Sequence, residues 1–168
     1  MITSNKPAIY FILTVIAASF LSVHSLAQPQ NEPATIYSSH KDPAGEIETA
    51  IARSAESCKT IILIFGADWC PWCNRLAKIF NENRTISRYL EDNFLLVKID
   101  VGKWDKNLDL AEKYSVSRKA GVPSLVFLNC KGKLIKFQET SVLEQGKGYS
   151  EQKIMDLLGK MKSSETLK

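Results

Sequence analysis

The sequence predicts an α/β domain in which helices cover both faces of a sheet and the last two strands run antiparallel. Three observations carry that prediction. Two apolar runs, Thr60–Phe65 and Phe94–Asp100, suit strands buried in a sheet whose faces are both covered. Segments with helical apolar periodicity alternate with them. Two later apolar runs, Ser124–Asn129 and Leu134–Phe137, are separated only by Cys130-Lys131-Gly132-Lys133, a short polar connection holding a glycine, which is a hairpin signal.

The elements follow in order. Asp42-Pro43 reads as an N-cap followed by proline at the first helical position. Ile47, Ala50, Ile51 and Ala55 then recur at helical spacing to about Ser57. Gly66–Trp69 ends the first strand, and Cys70 opens a helix carrying Leu76, Ile79 and Phe80. Thr85 is expected to cap a short helix with Ile86, Tyr89 and Leu90, and Asn107–Tyr114 forms another. Val116–Val122 is a connector broken by Gly121, and Gly146-Lys147-Gly148 a plain loop. Ser150 caps a terminal helix in which Ile154, Leu157, Leu158 and Met161 share a face. These elements place the domain at residues 42–162, followed by a short tail at 163–168.

The first 27 residues are a different material. Lys6 gives a positive start, no acid precedes Glu32, and Ala8–Leu21 is almost unbroken apolar sequence. Ser25-Leu26-Ala27 sets small residues at the positions that precede a cleavage site. This is the pattern of a secretory signal peptide, with an apolar stretch too short for a comfortable membrane span; an uncleaved N-terminal anchor is the alternative. Cleavage after Ala27 leaves a polar segment, residues 28–41, expected as a flexible leader with a short extended piece at Ile36-Tyr37. Export, with the periplasm as the expected compartment, makes disulfides available to Cys58, Cys70, Cys73 and Cys130.

Composition excludes several functions. The net charge of +4 comes from 22 basic and 18 acidic residues interleaved along the chain, with no basic patch or tail of the kind nucleic-acid binding needs. Beyond the first 27 residues the sole histidine is His40, far from any nucleophile motif, so neither a histidine-based triad nor a histidine-rich zinc site can be built. Serine-hydrolase and phosphate-loop motifs are absent.

Cys70-Pro71-Trp72-Cys73 carries the chemistry. Cysteines at i and i+3 on a first helical turn lie on one face, close enough to bond to each other. The leading cysteine meets the free N–H groups and positive dipole end of the helix, which stabilise a thiolate. Proline is tolerated there because its missing N–H had no intrahelical partner. A thiolate that attacks a disulfide and a second thiol that resolves the product make a complete exchange device, with Cys70 as nucleophile and Cys73 as resolver. The alternatives are weaker. A staple across three residues constrains the unfolded chain little, a zinc site needs a second close pair, and haem attachment needs histidine where Asn74 stands.

With Phe65-Gly66-Ala67-Asp68-Trp69 leading into that motif, Val97-Lys98-Ile99-Asp100, and Gly121-Val122-Pro123-Ser124 before a strand and hairpin, the chain resembles the thioredoxin superfamily over roughly residues 42–161. The resemblance implies a thioredoxin-like α/β fold, a central mixed sheet flanked by helices on both faces, with thiol–disulfide exchange as its activity. It implies that Pro123 is the family's cis-proline beside the cysteines, with Val122 presenting backbone groups to a substrate. On local sequence alone, a strand-start proline is the alternative. It also implies that the strands after Cys58 and before Cys130 are antiparallel neighbours, so that these two cysteines form a second, structural disulfide; two separate thiols are the alternative.

The departures are as informative. The buried carboxylate and lysine of many thioredoxins correspond to Ile64 and Leu96, both apolar, which leaves Asp68 or water to assist deprotonation of Cys73. Arg118 and Lys119 enlarge the connector before Gly121, either folded over the site or, as expected, solvated. Pro71-Trp72 replaces the usual Gly-Pro and leaves the direction of electron flow open. Trp69 and Trp72, with Pro71, are candidates for the substrate groove, Trp72 the better surface candidate of the two tryptophans; the role of Trp104 is not legible.

The reading is an exported, monomeric protein-disulfide reductase that takes disulfide-containing proteins as substrates. It needs no metal and no cofactor beyond the Cys70–Cys73 pair. A membrane-bound thiol reductase supplies its electrons. Its rivals are a redox-inert or metal-delivering binding protein, and an oxidase or isomerase running the same chemistry in another direction.

Overall fold

The computed structural model describes residues 35–38, 40 and 42–162. The expected signal peptide, its cleavage site and the C-terminal tail lie outside the described residues. Helix α1 (Pro43–Ser57) leads into β1 (Thr60–Gly66), then α2 (Pro71–Glu82), α3 (Arg84–Asn93), β2 (Phe94–Asp100), α4 (Leu108–Lys113), β3 (Ser124–Leu128) and β4 (Leu134–Glu139). A 3₁₀ turn at Thr140–Leu143 connects to a two-residue hairpin, β5 (Glu144–Gln145) and β6 (Gly148–Tyr149), and α5 (Glu151–Lys162) closes the fold.

The four-stranded sheet runs β2-β1-β3-β4, with β1 parallel to β2 and both remaining pairs antiparallel. Every residue of β1 is buried, as its unbroken apolar run requires in the centre of a covered sheet. Ile62, Ile64, Leu125 and Phe127 face α2, α3 and α5, while Ile61, Leu63, Phe65, Val126 and Leu128 face α1 and α4. The α/β fold with a mixed sheet and helices on both faces is therefore the one the element order implies.

Four local expectations are corrected. Strand β2 is an edge strand rather than one buried throughout: Leu96 is 40% exposed and Lys98 half-buried. Helix α3 is capped by Asn83, whose side-chain oxygen accepts the Ile86 N–H at 3.0 Å. The single residue between α2 and α3 ends one helix and starts the next, so Thr85 falls inside the first turn. Gly146-Lys147-Gly148 is no plain loop but the turn and start of β6 in the β5–β6 hairpin, with Gly146 at φ +60°, the backbone that a glycine in the first loop position supplies. Ser150 precedes α5 as expected and accepts from the Lys153 N–H.

The fourth correction concerns the leader. Ile36–Ser38 is docked, and Tyr37 is 1% exposed. Asp68 accounts for it: one carboxylate oxygen accepts the N–H groups of Ile36 and Tyr37 at 2.7 and 2.8 Å, and the other accepts that of Ser38 at 3.1 Å. His40 in turn bonds Glu46 of α1 at 2.8 Å through its Nδ1.

Candidate active site

Strand register builds the site. Phe65 near the end of β1 pairs with Ser124 at the start of β3, so the loop after β1 and the loop before β3 emerge side by side. The first loop carries Cys70 and Cys73 into α2; the second carries Val122 and Pro123, joined by a cis peptide bond. Cys70 is the N-cap of α2, and its Sγ accepts the Cys73 N–H at 3.2 Å. Its S–H group donates to the Val122 carbonyl at 3.4 Å. The structure thus brings Cys70, Cys73, Val122 and Pro123 together, although they stand up to 53 positions apart in the chain.

The two thiols differ in kind. Cys70 is 4% exposed and Cys73 fully buried. A hydrogen bond from the Cys73 thiol, with backbone N–H groups of Cys73 and Trp72, outweighs burial and lowers Cys70 to about 7. Cys73 moves far the other way, because it donates to Cys70 and lies in an apolar interior. The first cysteine is therefore the one poised to ionise and the second stays a neutral thiol, the division of labour that exchange requires.

The cis-proline loop is braced from behind. Thr140 Oγ1 donates to the Pro123 carbonyl at 2.8 Å, and the Tyr149 hydroxyl donates to Thr140 Oγ1 at 3.3 Å. Ser124 Oγ donates to the Gly121 carbonyl at 2.8 Å, in a turn where Gly121 adopts φ +74°. Burial pushes the Tyr149 phenol up, with charge on Cys73 adding to it, so it stays a neutral donor. No local pattern ties Thr140 or Tyr149 to the cysteines, nor Tyr37, which the sequence marks only as part of a short extended piece in the leader.

Several expected roles are rearranged. Trp69, not Trp72, is the open tryptophan: it is 54% exposed, with Nε1 donating to the Gly102 carbonyl at 2.7 Å. Trp72 is half-buried edge-to-face against Tyr149 at 5.3 Å, under the guanidinium of Arg75 at 4.8 Å. The unforeseen β5–β6 hairpin supplies that cover. Pro71 is exposed beside them. Asp68 is committed to the leader amides. Burial alone would raise its carboxyl, but the Ser38 hydroxyl and the three N–H groups hold it below the usual range, so it makes a poor proton carrier for Cys73. Arg118 lies in an exposed stretch, donating to the Lys103 carbonyl at 3.4 Å, and Trp104 covers the α1–α4 side of the core.

At the opposite end of β1, Ile61 pairs with Leu128, and the segments beyond bring Cys58 and Cys130 together, with their Sγ atoms 2.9 Å apart. Both are thiols here. Among the described residues no cluster of three or more His, Cys, Asp or Glu side chains forms, and no helix is long and apolar enough to cross a membrane.

The thioredoxin-like family model matches residues 42–130, more than half the chain. This chain belongs to the thioredoxin-like family. A crystal structure described as a disulphide isomerase from Xylella fastidiosa superposes with a TM-score of 0.67 at 32% identity, covering 74% of this chain and 95% of that one. A thioredoxin from Thermus thermophilus, 20% identical with a TM-score of 0.54 over 71% of this chain and 85% of its own, shares the fold. In sequence, protein disulfide isomerase-like 2-2 of rice is 39% identical over 69 residues, which span 41% of this chain but 17% of that protein. The thioredoxin of Buchnera aphidicola is 35% identical over 71 residues, 42% of this chain and 57% of its own length. The thioredoxin-like domain thus sits among thiol–disulfide oxidoreductases and isomerases.

Proposed function

We propose that this thioredoxin-like protein is a thiol–disulfide exchange enzyme that reduces disulfides in exported proteins. The observation that carries the reading is the asymmetry of one pair: Cys70, capping α2 beside the Val122 carbonyl and lowered to about 7, next to a buried, neutral Cys73.

The exchange follows from that geometry. The Cys70 thiolate attacks one sulfur of the substrate disulfide, that S–S bond breaks, and the leaving thiolate takes a proton from water. Val122, freed from the Cys70 S–H, offers its carbonyl to a substrate backbone N–H beside Pro123. Cys73 then loses its proton to water and attacks Cys70 Sγ, which expels the second substrate thiolate, protonated in turn from water, and leaves a Cys70–Cys73 disulfide. Two electrons and two protons have passed to the substrate. A membrane-bound thiol reductase returns the electrons by the reverse exchange. Trp69 is the exposed apolar surface on which a partner chain rests.

Export to the periplasm is part of the proposal. It rests on the charged and apolar pattern of residues 1–27, and it accords with a Cys58–Cys130 disulfide as a structural bond. The domain works as a monomer. In the competing reading, a redox-inert or metal-binding protein, Cys70 and Cys73 are equivalent.

Covalent trapping separates the two. A Cys73→Ser chain retains the nucleophile but cannot resolve, so it accumulates mixed disulfides with substrates through Cys70. A Cys70→Ser chain accumulates none. Equal behaviour of the two variants contradicts the exchange reading.

A further inference from the structure

Cys73 has to lose a proton to resolve the mixed disulfide, yet polar help is missing from the places where many thioredoxins keep it. Ile64 is buried in the same cluster as Cys73, and Leu96 stands opposite Ile62 on the sheet edge. Asp68 is turned to the leader. What lies against this end of β1 instead is the ring of Tyr37, buried in the cluster that holds Cys70, Cys73, Ile64 and Leu76. Its contact with the strand is close: a β-carbon on Gly66 would fall 2.3 Å from the ring and 2.6 Å from the phenolic oxygen.

We propose that Ile36-Tyr37-Ser38 is a strap latched by the Asp68 carboxylate, and that the Tyr37 ring seals Cys73 from water and thereby sets how fast the mixed disulfide on Cys70 is resolved. Tyr37 is a positioning residue for the second step of the exchange, so the inference rests on the function proposed above. The titratable groups facing Cys73 are Cys70 on its own helix, Tyr37 on the strap and Tyr149 on β6. Burial raises the Tyr37 phenol well above its ordinary value, with charge on Cys73 and then Cys70 adding to it, so it stays neutral over the working pH range. A neutral ring excludes water without supplying a counter-charge, and exclusion of water keeps a buried thiol protonated.

The latch is chemically specific. A carboxylate offers two acceptor oxygens to three N–H donors and the Ser38 hydroxyl; an amide offers one and turns an NH₂ donor toward the remaining groups. Asp68→Asn therefore releases at least one strap amide at nearly constant volume.

The test uses the full chain in a Cys58→Ser, Cys130→Ser background, with the chromogenic disulfide dithiobis(nitrobenzoate) as probe. Attack by Cys70 releases one equivalent of nitrothiobenzoate in a concentration-dependent phase, and resolution by Cys73 releases the second in a concentration-independent phase. In Asp68→Asn and Tyr37→Ala the second phase accelerates at least about threefold at neutral pH, the gain expected when a thiol loses about one unit with a Brønsted slope near one half. Its pH profile moves to lower pH while the first phase keeps its own. Tyr37→Phe retains the ring and behaves as the parent. An unchanged or slower second phase in Asp68→Asn, with faster amide exchange showing that residues 36–38 are released, overturns the strap proposal and leaves the exchange function standing. Loss of the first phase in the parent protein overturns the exchange function itself.

Discussion

The ring of Tyr37 lies over Gly66 so closely that no side chain fits between them; a β-carbon at position 66 would sit 2.3 Å from the ring. Glycine at the end of β1 is therefore a packing requirement, since the strand itself would accept a larger residue. Gly66→Ala is expected to displace the strap or distort the strand, lowering stability by about 1–3 kcal/mol as overpacking does. Urea denaturation checks this, and an unchanged midpoint would mean that Tyr37 is not held against β1 in solution.

Cys70 should titrate near neutrality. Alkylation of reduced protein by iodoacetamide is expected to reach half its maximal rate at about pH 7 and to modify Cys70 well ahead of the buried Cys73. The lowered value also makes stability depend on pH. Ionised Cys70 favours the native state fully above the ordinary value of 9.0, and this contribution is lost as the pH falls through about 7. Cys73, raised instead, contributes below 9.0 and loses that contribution as the pH rises beyond it. Reduced protein should thus gain stability from pH 7 to 9, relative to a Cys70→Ser variant, by denaturant titration at each pH.

Much of the architecture was legible because its signals are local. Asp42-Pro43 marked the start of α1, the unbroken run from Thr60 marked the central strand, and the glycine in Cys130–Lys133 marked the turn between β3 and β4. Cys70 and Cys73 were legible for the same reason: spacing on a first helical turn is a property of four residues. The strap was not, because its order comes from amides meeting Asp68 about thirty positions away. The exchanged exposure of Trp69 and Trp72 has the same origin, since the partner that covers Trp72 is Tyr149, 77 residues on. Asn83 and Thr85 are both good capping residues, and only the length of α2 decides between them.

That choice is itself testable. Asn83→Ala removes the acceptor for the Ile86 N–H and the 2.8 Å hydrogen bond to Glu151 of α5. A loss of roughly 0.5–2 kcal/mol is expected, whereas Thr85→Ala, inside the first turn, should change thermal stability little. Equal losses would return the cap to Thr85.

The second cysteine pair should oxidise. With sulfurs 2.9 Å apart and Cys58 exposed, peptide mapping of air- or glutathione-oxidised protein is expected to find Cys58–Cys130 beside Cys70–Cys73. Closing a loop between cysteines 72 positions apart constrains the unfolded chain by about 4 kcal/mol on the loop-entropy model, so oxidised protein should unfold at a higher denaturant concentration than the Cys58→Ser, Cys130→Ser variant. Alkylation of both outer thiols without reductant would contradict it.

The most direct test of the proposed function is the reduction potential of the Cys70–Cys73 pair, measured against glutathione or dithiothreitol with Cys58 and Cys130 replaced by serine. A reductase fed by a stronger donor predicts reversible titration near about −270 mV, where thioredoxin lies. A value near about −120 mV would make the protein a disulfide donor and reverse the direction of electron flow, and a pair that fails to titrate reversibly would contradict exchange altogether.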